Sequence, residues 1–397
     1  MKTDTDSKKI EELLTRGVEN IYPNRKFLEE KLKNGEKLTL YLGIDPTGPC
    51  LHLGHAISLM KLRQFQQLGH QVIMLIGSFT AMIGDPTDKL ATRKPLTREQ
   101  VLENCQNYKK QASVLLDFSG PNKAELRYND AWLGKLKFVE IVELASNFTV
   151  QQMLERDMFE KRMNEGKPIG LHEFLYPLMQ GYDSVAMDVD GEIGGNDQTF
   201  NMLAGRTLIK VVKNKEKFVM TNKLLADPSG IKMGKTTGNM ITLIDTPDEK
   251  FGKVMSWTDG MIISGFELCT TIPMADISQL EKRLKKGDNP RDLKLDLAQA
   301  IVTLYHGDKA GLQARENFLQ MFQKKEIPDD ILELTAAGKS LVDVLIESKF
   351  VTSKSEARRN IEQKGVKINS EVVIDANQSV KTGDIVQKGK RFFVKIK

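Results

Sequence analysis

Two histidines and two lysines carry the first chemical signal in this chain. His52, Gly54 and His55 fall within the tetrapeptide HLGH, and Lys232, Lys235 and Thr236 within KMGKT, about 180 residues further on. Imidazole N–H groups and ammonium groups both stabilise negative charge that builds on a departing phosphate. Gly54 lets a nucleotide come close to the backbone. A helix starting at HLGH adds free N–H groups and the positive end of its dipole, which also suit phosphate. KMGKT sits in LADPSGIKMGKTTGNM, whose Gly, Ser, Thr and Pro content is that of a loop. Taken alone, HLGH is equally two surface histidines beside a turn, and KMGKT one more lysine-rich loop. The polar, turn-rich GIDPTGPCL before the first and TGN after the second favour the functional reading.

Three further segments offer polar groups at useful spacings. In GDPTDKLATR, Asp85 is placed to receive an ammonium group, and Lys89 and Arg93 to meet phosphate, although GDPT is also an ordinary turn. In YPLMQGYD, Tyr176, Gln180 and Asp183 stand at i, i+4 and i+7, so they share one helix face. Burying such a stripe is costly unless its groups find partners; the alternative is a solvated face. GGNDQ joins Gly195 to Asp197 and Gln198 at a helix start, which suits a ribose diol, or a simple N-cap by Asn196 or Asp197.

The elements that must position these groups follow from periodicity. LTLYLGI (38–44) and the continuous apolar run QVIMLIG (71–77) read as strands, with a helix over 56–68 between them. Strand, glycine-containing turn, helix and strand make a right-handed βαβ unit that opens a parallel sheet, an α/β fold in which ligands bind at the carboxyl ends of the strands. HLGH lies at the first such end. Residues 97–117, 136–163 and 197–212 read as helices, EIGGN as a turn, and KFVMT (217–221) as a strand. Residues 247–326 show helical patterns and few strand signals. The last boundary falls within 326–340, and the tail reads as helices over 341–347 and 353–363 with short strands such as VKIN and FFVKI.

Composition narrows the class. At 397 residues, the chain is long enough for two or three domains with substantial cores. Cys50, Cys105 and Cys269 are isolated, which argues against a disulfide framework or structural zinc, and five scattered histidines are too few for a metal cluster. The start has no apolar signal-peptide core, and no apolar run reaches membrane-spanning length, so a cytoplasmic protein with no membrane partner is expected. The net charge of +5 is unevenly spread. Residues 339–397 hold 13 Lys and Arg against 7 Asp and Glu, whereas the rest is close to neutral. That basic tail suits nucleic-acid contact, or a solvated basic face.

LYLGIDPTGPCLHLGH, GDPTDKLATR, LYPLMQGYD, EIGGNDQ and KMGKT together resemble, in order and spacing, the bacterial tyrosyl-tRNA synthetases, a class I aminoacyl-tRNA synthetase family. The resemblance runs from about residue 35 to the C-terminus. It implies a Rossmann-like catalytic domain over 1–246, a helical anticodon-recognition domain over 247–330 and an S4-like RNA-binding domain over 339–397. It also implies that L-tyrosine is activated with ATP and Mg2+ to tyrosyl-adenylate, then transferred to the 3′ end of tRNA(Tyr) by a homodimer. By the same resemblance, Tyr41 and Asp183 bind the substrate phenol, and Asp85, Tyr176 and Gln180 its α-ammonium. Asp45 and Gln198 lie near the substrate and its adenylate, and Asp197 meets the ribose. Gly43, Thr47, Gly54, Gly195, His52 and His55 stand on the ATP side, with Lys89, Arg93, Lys232, Lys235 and Thr236 at the pyrophosphate. The tail resembles the S4 domain, which implies phosphate contacts from Ser355, Arg358 and Arg359 on one helix and from Lys364 after it. The commoner form of the second signature is KMSKS; Gly234 and Thr236 replace its serines here. The rival readings are a tryptophanyl enzyme of the same architecture, an RNA-binding protein on a disabled synthetase fold, and another adenylate-forming nucleotidyltransferase.

Overall fold

Six short segments pair side by side to build the sheet that carries the site. A computed structural model describes residues 2–86, 96–155, 157–227, 240–323, 331–351, 353–369, 371–389 and 392–397. Its first sheet contains β1 (Val18–Tyr22), β2 (Thr39–Ile44), β3 (Gln71–Ile76), β4 (Glu125–Tyr128), β5 (Gly191–Gly195) and β6 (Phe218–Asn222), in the order β1-β6-β5-β2-β3-β4. All neighbours run parallel except β1, which pairs antiparallel with β6 at the edge. The expected βαβ unit is present: β2, the helix Leu53–Gln67, then β3 in parallel register with β2. Leu40, Leu42, Val72, Met74 and Ile76 are buried, as near-continuous apolar strands in a covered parallel sheet must be.

EIGGN was expected to be a turn, and the structure corrects this: β5 is an inner strand between β2 and β6. Glycine disguises it. A Cβ at Gly191 would lie 2.1 Å from the Phe218 ring, and one at Gly194 would lie 2.9 Å from the Met202 sulfur. Neighbouring side chains fill the space that strand side chains would otherwise occupy. The helix expected over 136–163 is three pieces, Phe138–Ala145, Val150–Leu154 and Asp157–Asn164; Thr149 starts the second by accepting from the Gln152 N–H. The helix expected over 97–117 is two, Arg98–Cys105 and Tyr108–Ala112.

Residues 1–318 and 319–397 form separate compact units. The helical region that starts at Pro247 shares the first unit with the sheet up to residue 318. Arg16, before β1, donates to the carbonyls of Phe266, Glu267, Thr270 and Ile272. The last carbonyls of a helix lack partners within it, so a buried guanidinium at the end of the Ile262–Cys269 helix ties the N-terminal segment to this region. The second unit has its own apolar core, with Leu341, Leu345, Ala357, Ile361, Val366, Val386 and Val394 among its members. Its helices are Leu341–Glu347 and Lys354–Glu362. Its sheet has the order β7-β11-β10-β8-β9, with β7 (Leu332–Leu334), β8 (Val366–Ile368), β9 (Glu371–Val372), β10 (Ile385–Lys388) and β11 (Phe392–Ile396). Among the described residues, no helix is long and apolar enough to cross a membrane.

Candidate active site

The helix after β2 begins at HLGH, and its first turn is held by its own imidazoles. His52 is the N-cap: its Nδ1 accepts from the Gly54 N–H at 3.1 Å, and its backbone N–H donates to His55 Nδ1 at 3.3 Å. The two rings stack with centroids 3.9 Å apart. In a neutral imidazole whose Nδ1 accepts, the proton resides on Nε2. The capping therefore sets both rings in the Nε2–H form, giving two donors beside the helix N-terminus. Gly54 has a steric role as well as permitting backbone approach. A Cβ there would lie 2.9 Å from His52 Cε1 and displace the capping ring.

These donors border a cavity of about 300 Å³ at the carboxyl ends of β2 and β5. Every described residue expected at the substrate or the nucleotide lines it. Gly43 and Tyr41 come from β2, and Asp45 and Thr47 follow it. Asp85 follows β3. Tyr176, Gln180 and Asp183 project from the helix Leu171–Met187, while Gly195, Asp197 and Gln198 end β5 and start the next turn. Lys89, Arg93, Lys232, Lys235 and Thr236 lie outside the described residues. The chain on either side of the second lysine segment can still be placed. Leu224 and Leu225 line the cavity. After the segment, the Ile241 carbonyl accepts from Leu53 N–H at 3.0 Å, and Leu243 N–H donates to the Leu51 carbonyl at 2.9 Å. The returning chain is thus stitched to the histidine turn.

Each acid in the cavity has partners that orient it. Asp45 accepts from Tyr176 Oη at 2.8 Å and from Thr80 Oγ1 at 2.7 Å. Gly77 makes room for this arrangement, because a Cβ there would fall 1.9 Å from Asp45 Oδ1. Asp85 accepts from Gln198 Nε2 at 2.7 Å, and Gln198 Oε1 accepts from Asn201 Nδ2 at 3.0 Å. Asp183, 2% exposed, accepts from Trp132 Nε1 at 2.7 Å and from Asn129 Nδ2 at 3.2 Å. Burial drives its carboxyl well above the usual range, and the nearby Glu192 and Asp45 add to this; the two N–H donors oppose it. Burial likewise raises the phenols of Tyr41 and Tyr176, with Glu192 and Asp45 respectively the largest charges behind the shifts. Both phenols are therefore neutral and able to donate. Tyr41 Oη lies 3.1 Å from Ser184 Oγ and 3.4 Å from the Gln180 carbonyl.

Sequence reasoning missed Thr80, Asn129, Trp132, Ser184, Glu192 and Lys217. Except for Glu192, the first residue of EIGGNDQ, none lies in a motif that marks a site. Lys217 and Glu192 had a faint signal, as lone charges at the edge of otherwise apolar or glycine-rich segments. Among the described residues, no group of three His, Cys, Asp or Glu side chains is placed to hold a metal ion. In the second unit, Ser355, Arg358 and Arg359 on the helix Lys354–Glu362 are exposed, as is Lys364 two residues after that helix ends.

A family profile described as tRNA synthetases class I (W and Y) matches residues 33–323. With the parallel sheet and the histidine turn at its strand ends, this places the chain in the class I tRNA synthetases. A second profile, the tyrosine–tRNA ligase SYY-like C-terminal domain, matches residues 317–395. The tyrosine–tRNA ligase of Haemophilus ducreyi is 46% identical over 386 residues, covering 96% of each chain. That of Carboxydothermus hydrogenoformans is 45% identical over 401 residues, covering 97% of each. Within its class, the chain belongs to the tyrosine–tRNA ligases. A C-terminally truncated mitochondrial tyrosyl-tRNA synthetase of Aspergillus nidulans shares the fold at a TM-score of 0.66 and 23% identity, over 79% of this chain and 94% of that one.

Proposed function

We propose that the cavity holds L-tyrosine with its phenol at Asp183 and Tyr41 and its ammonium at Tyr176, Gln180 and Asp85. The tyrosine carboxylate attacks the α-phosphorus of ATP in line. The bond to the bridging oxygen breaks, and pyrophosphate leaves with tyrosyl-adenylate formed. The terminal ribose hydroxyl of tRNA(Tyr) then attacks the activated carbonyl, loses its proton and releases AMP. No protein nucleophile is required. Catalysis rests on positioning and on donors aimed where charge develops.

His52 and His55 offer Nε2–H groups to the phosphates, assisted by the positive end of the dipole of the helix they start. Thr47, Gly43 and Gly54 shape the ATP side, while Asp197 and Gly195 receive the ribose, and Asp45 and Gln198 hold the substrate end. Lys89, Arg93, Lys232, Lys235 and Thr236 act on the leaving pyrophosphate. Mg2+ arrives with ATP, bound largely by its phosphates. Ser355, Arg358, Arg359 and Lys364 contact tRNA phosphates, and two copies of the chain work together in the cytoplasm. Phenylalanine is disfavoured because it leaves the buried Asp183 without the phenol donor.

One observation chiefly supports this reading: Asp45, Asp85 and Asp183 and the two histidines border a single cavity at the strand ends. The test is ATP–pyrophosphate exchange with each standard amino acid in turn. Exchange that depends on tyrosine is expected. Dependence on tryptophan instead, or no exchange with any amino acid, would overturn the assignment.

A further inference from the structure

A buried ion pair lies beneath the amino-acid end of the cavity. Glu192 on β5 and Lys217, just before β6, are 1% and 0% exposed, with Lys217 Nζ on Glu192 Oε2. Lys217 Nζ also donates to Ser184 Oγ at 2.7 Å. Ser184 Oγ is 3.1 Å from Tyr41 Oη, which reaches the Gln180 carbonyl at 3.4 Å. Gln180 Nε2 donates to Glu192 Oε1 at 2.9 Å, and the contacts close into a ring. Gly205 clears space for it: a Cβ there would lie 2.7 Å from Lys217 Nζ and 2.8 Å from Ser184 Oγ.

Burying two charges costs free energy that their attraction often fails to recover, and apolar residues of similar volume serve stability as well. A buried pair with no such advantage is more readily understood as setting an orientation. The side chain it orients is Gln180. A carboxamide can present either its oxygen or its NH2 to the cavity, two orientations of nearly the same shape. A carboxylate only accepts hydrogen bonds. With Oε2 of Glu192 occupied by Lys217, Oε1 remains for Gln180, and only the NH2 of Gln180 can meet it. Its Oε1 is then the group left for the cavity.

We propose that the Glu192–Lys217 pair is a positioning device for amino-acid recognition: it holds Gln180 with its side-chain oxygen toward the cavity, so that the site favours ligands carrying an ammonium group. Glu192 lines the cavity and Lys217 does not; the pair acts on the ammonium through Gln180. This rests on the reading of Gln180 as an ammonium acceptor.

The test compares full-length wild type, the apolar double variant Glu192→Leu/Lys217→Met, Gly205→Ala and Gln180→Ala. Titration calorimetry measures binding of L-tyrosine and of its des-amino analogue hydroxyphenylpropionate, and thermal melts report folding. The double variant is expected to melt near wild type, to bind L-tyrosine about ten-fold or more weakly, and to bind the analogue as before. Gly205→Ala retains both charges but displaces the Lys217 head, and it is expected to shift the ratio of the two affinities in the same direction. It decides the matter if the double variant does not fold. An unchanged ratio in the folded variants, or equal loss of both ligands, overturns the positioning role. If Gln180→Ala loses the preference for the ammonium ligand while those variants keep it, only the positioning role falls. If Gln180→Ala keeps it too, the ammonium assignment falls and the proposal with it.

Discussion

Replacing Asp183 with Asn should separate stability from recognition. The side chain keeps its shape, but an NH2 takes the place of one oxygen, and both oxygens accept N–H donors, from Trp132 at 2.7 Å and Asn129 at 3.2 Å. One of those hydrogen bonds becomes a donor facing a donor, at a cost of about 1–3 kcal/mol. Against this, the variant removes a carboxyl that burial makes hard to ionise. The sign follows from the raised folded value. Across the window that opens near the unfolded Asp pKa of about 3.9 and closes at the raised folded value, the folded wild type holds a proton that the unfolded chain has lost. Wild-type stability therefore carries this contribution fully below the window and loses it as pH rises, by about 1.4 kcal/mol per pH unit. The variant has no such loss. The stability gap between them should be widest in acid and shrink toward neutral pH. Tyrosine affinity should instead fall about ten-fold to a hundred-fold at neutral pH, because the phenol O–H loses its buried acceptor to an NH2 donor, at a cost of about 1–3 kcal/mol. Urea unfolding from about pH 4 to 7 reads the first effect and calorimetric titration with tyrosine the second. A gap that widens with pH, or tyrosine binding equal to wild type, would refute the reasoning.

Gly77→Ala places a Cβ 1.9 Å from Asp45 Oδ1 and 2.5 Å from Thr80 Oγ1, so Asp45 must turn away from Tyr176. A stability loss of about 1–3 kcal/mol in urea and a raised KM for tyrosine are expected; an unchanged KM would show that the Asp45 contacts do not support binding. Lys235→Ala should lower the single-turnover rate of adenylate formation far more than tyrosine affinity, and equal losses in both would count against a leaving-group role. Removing residues 331–397 takes away the small sheet with its separate core. Adenylate formation should survive while tRNA charging weakens, and the full chain should charge less well as salt rises. Normal charging by the shortened chain at every salt concentration would remove the tail from tRNA binding.

The parts of the site legible in the sequence are those where chemistry and periodicity agree. HLGH follows an apolar strand and opens a helix, and the spacing of Tyr176, Gln180 and Asp183 places them together at the cavity. The tail helix over 341–347 and the strand FFVKI have the expected bounds because small apolar elements bounded by turn residues leave few alternatives. β5 was hidden because its glycines are required by neighbours, Phe218 and Met202, that are distant in sequence. β1 was hidden because its burial is uneven, as suits an edge strand. The tautomers of His52 and His55 depend on their mutual capping, and the ring through Glu192 and Lys217 joins two strands, one helix and the residue that precedes a third strand. Spacing along the chain carries neither.

On the proposed reading, one cavity seats tyrosine at its acidic end and the adenylate at the histidine turn. A crystal structure of the protein soaked with a non-hydrolysable tyrosyl-adenylate analogue tests it most directly. The phenol should lie within hydrogen-bond distance of Asp183, the ammonium beside Gln180 and Tyr176, and the ribose at Asp197, with the phosphate facing His52 and His55. An analogue bound in another orientation, or outside this cavity, would contradict the account.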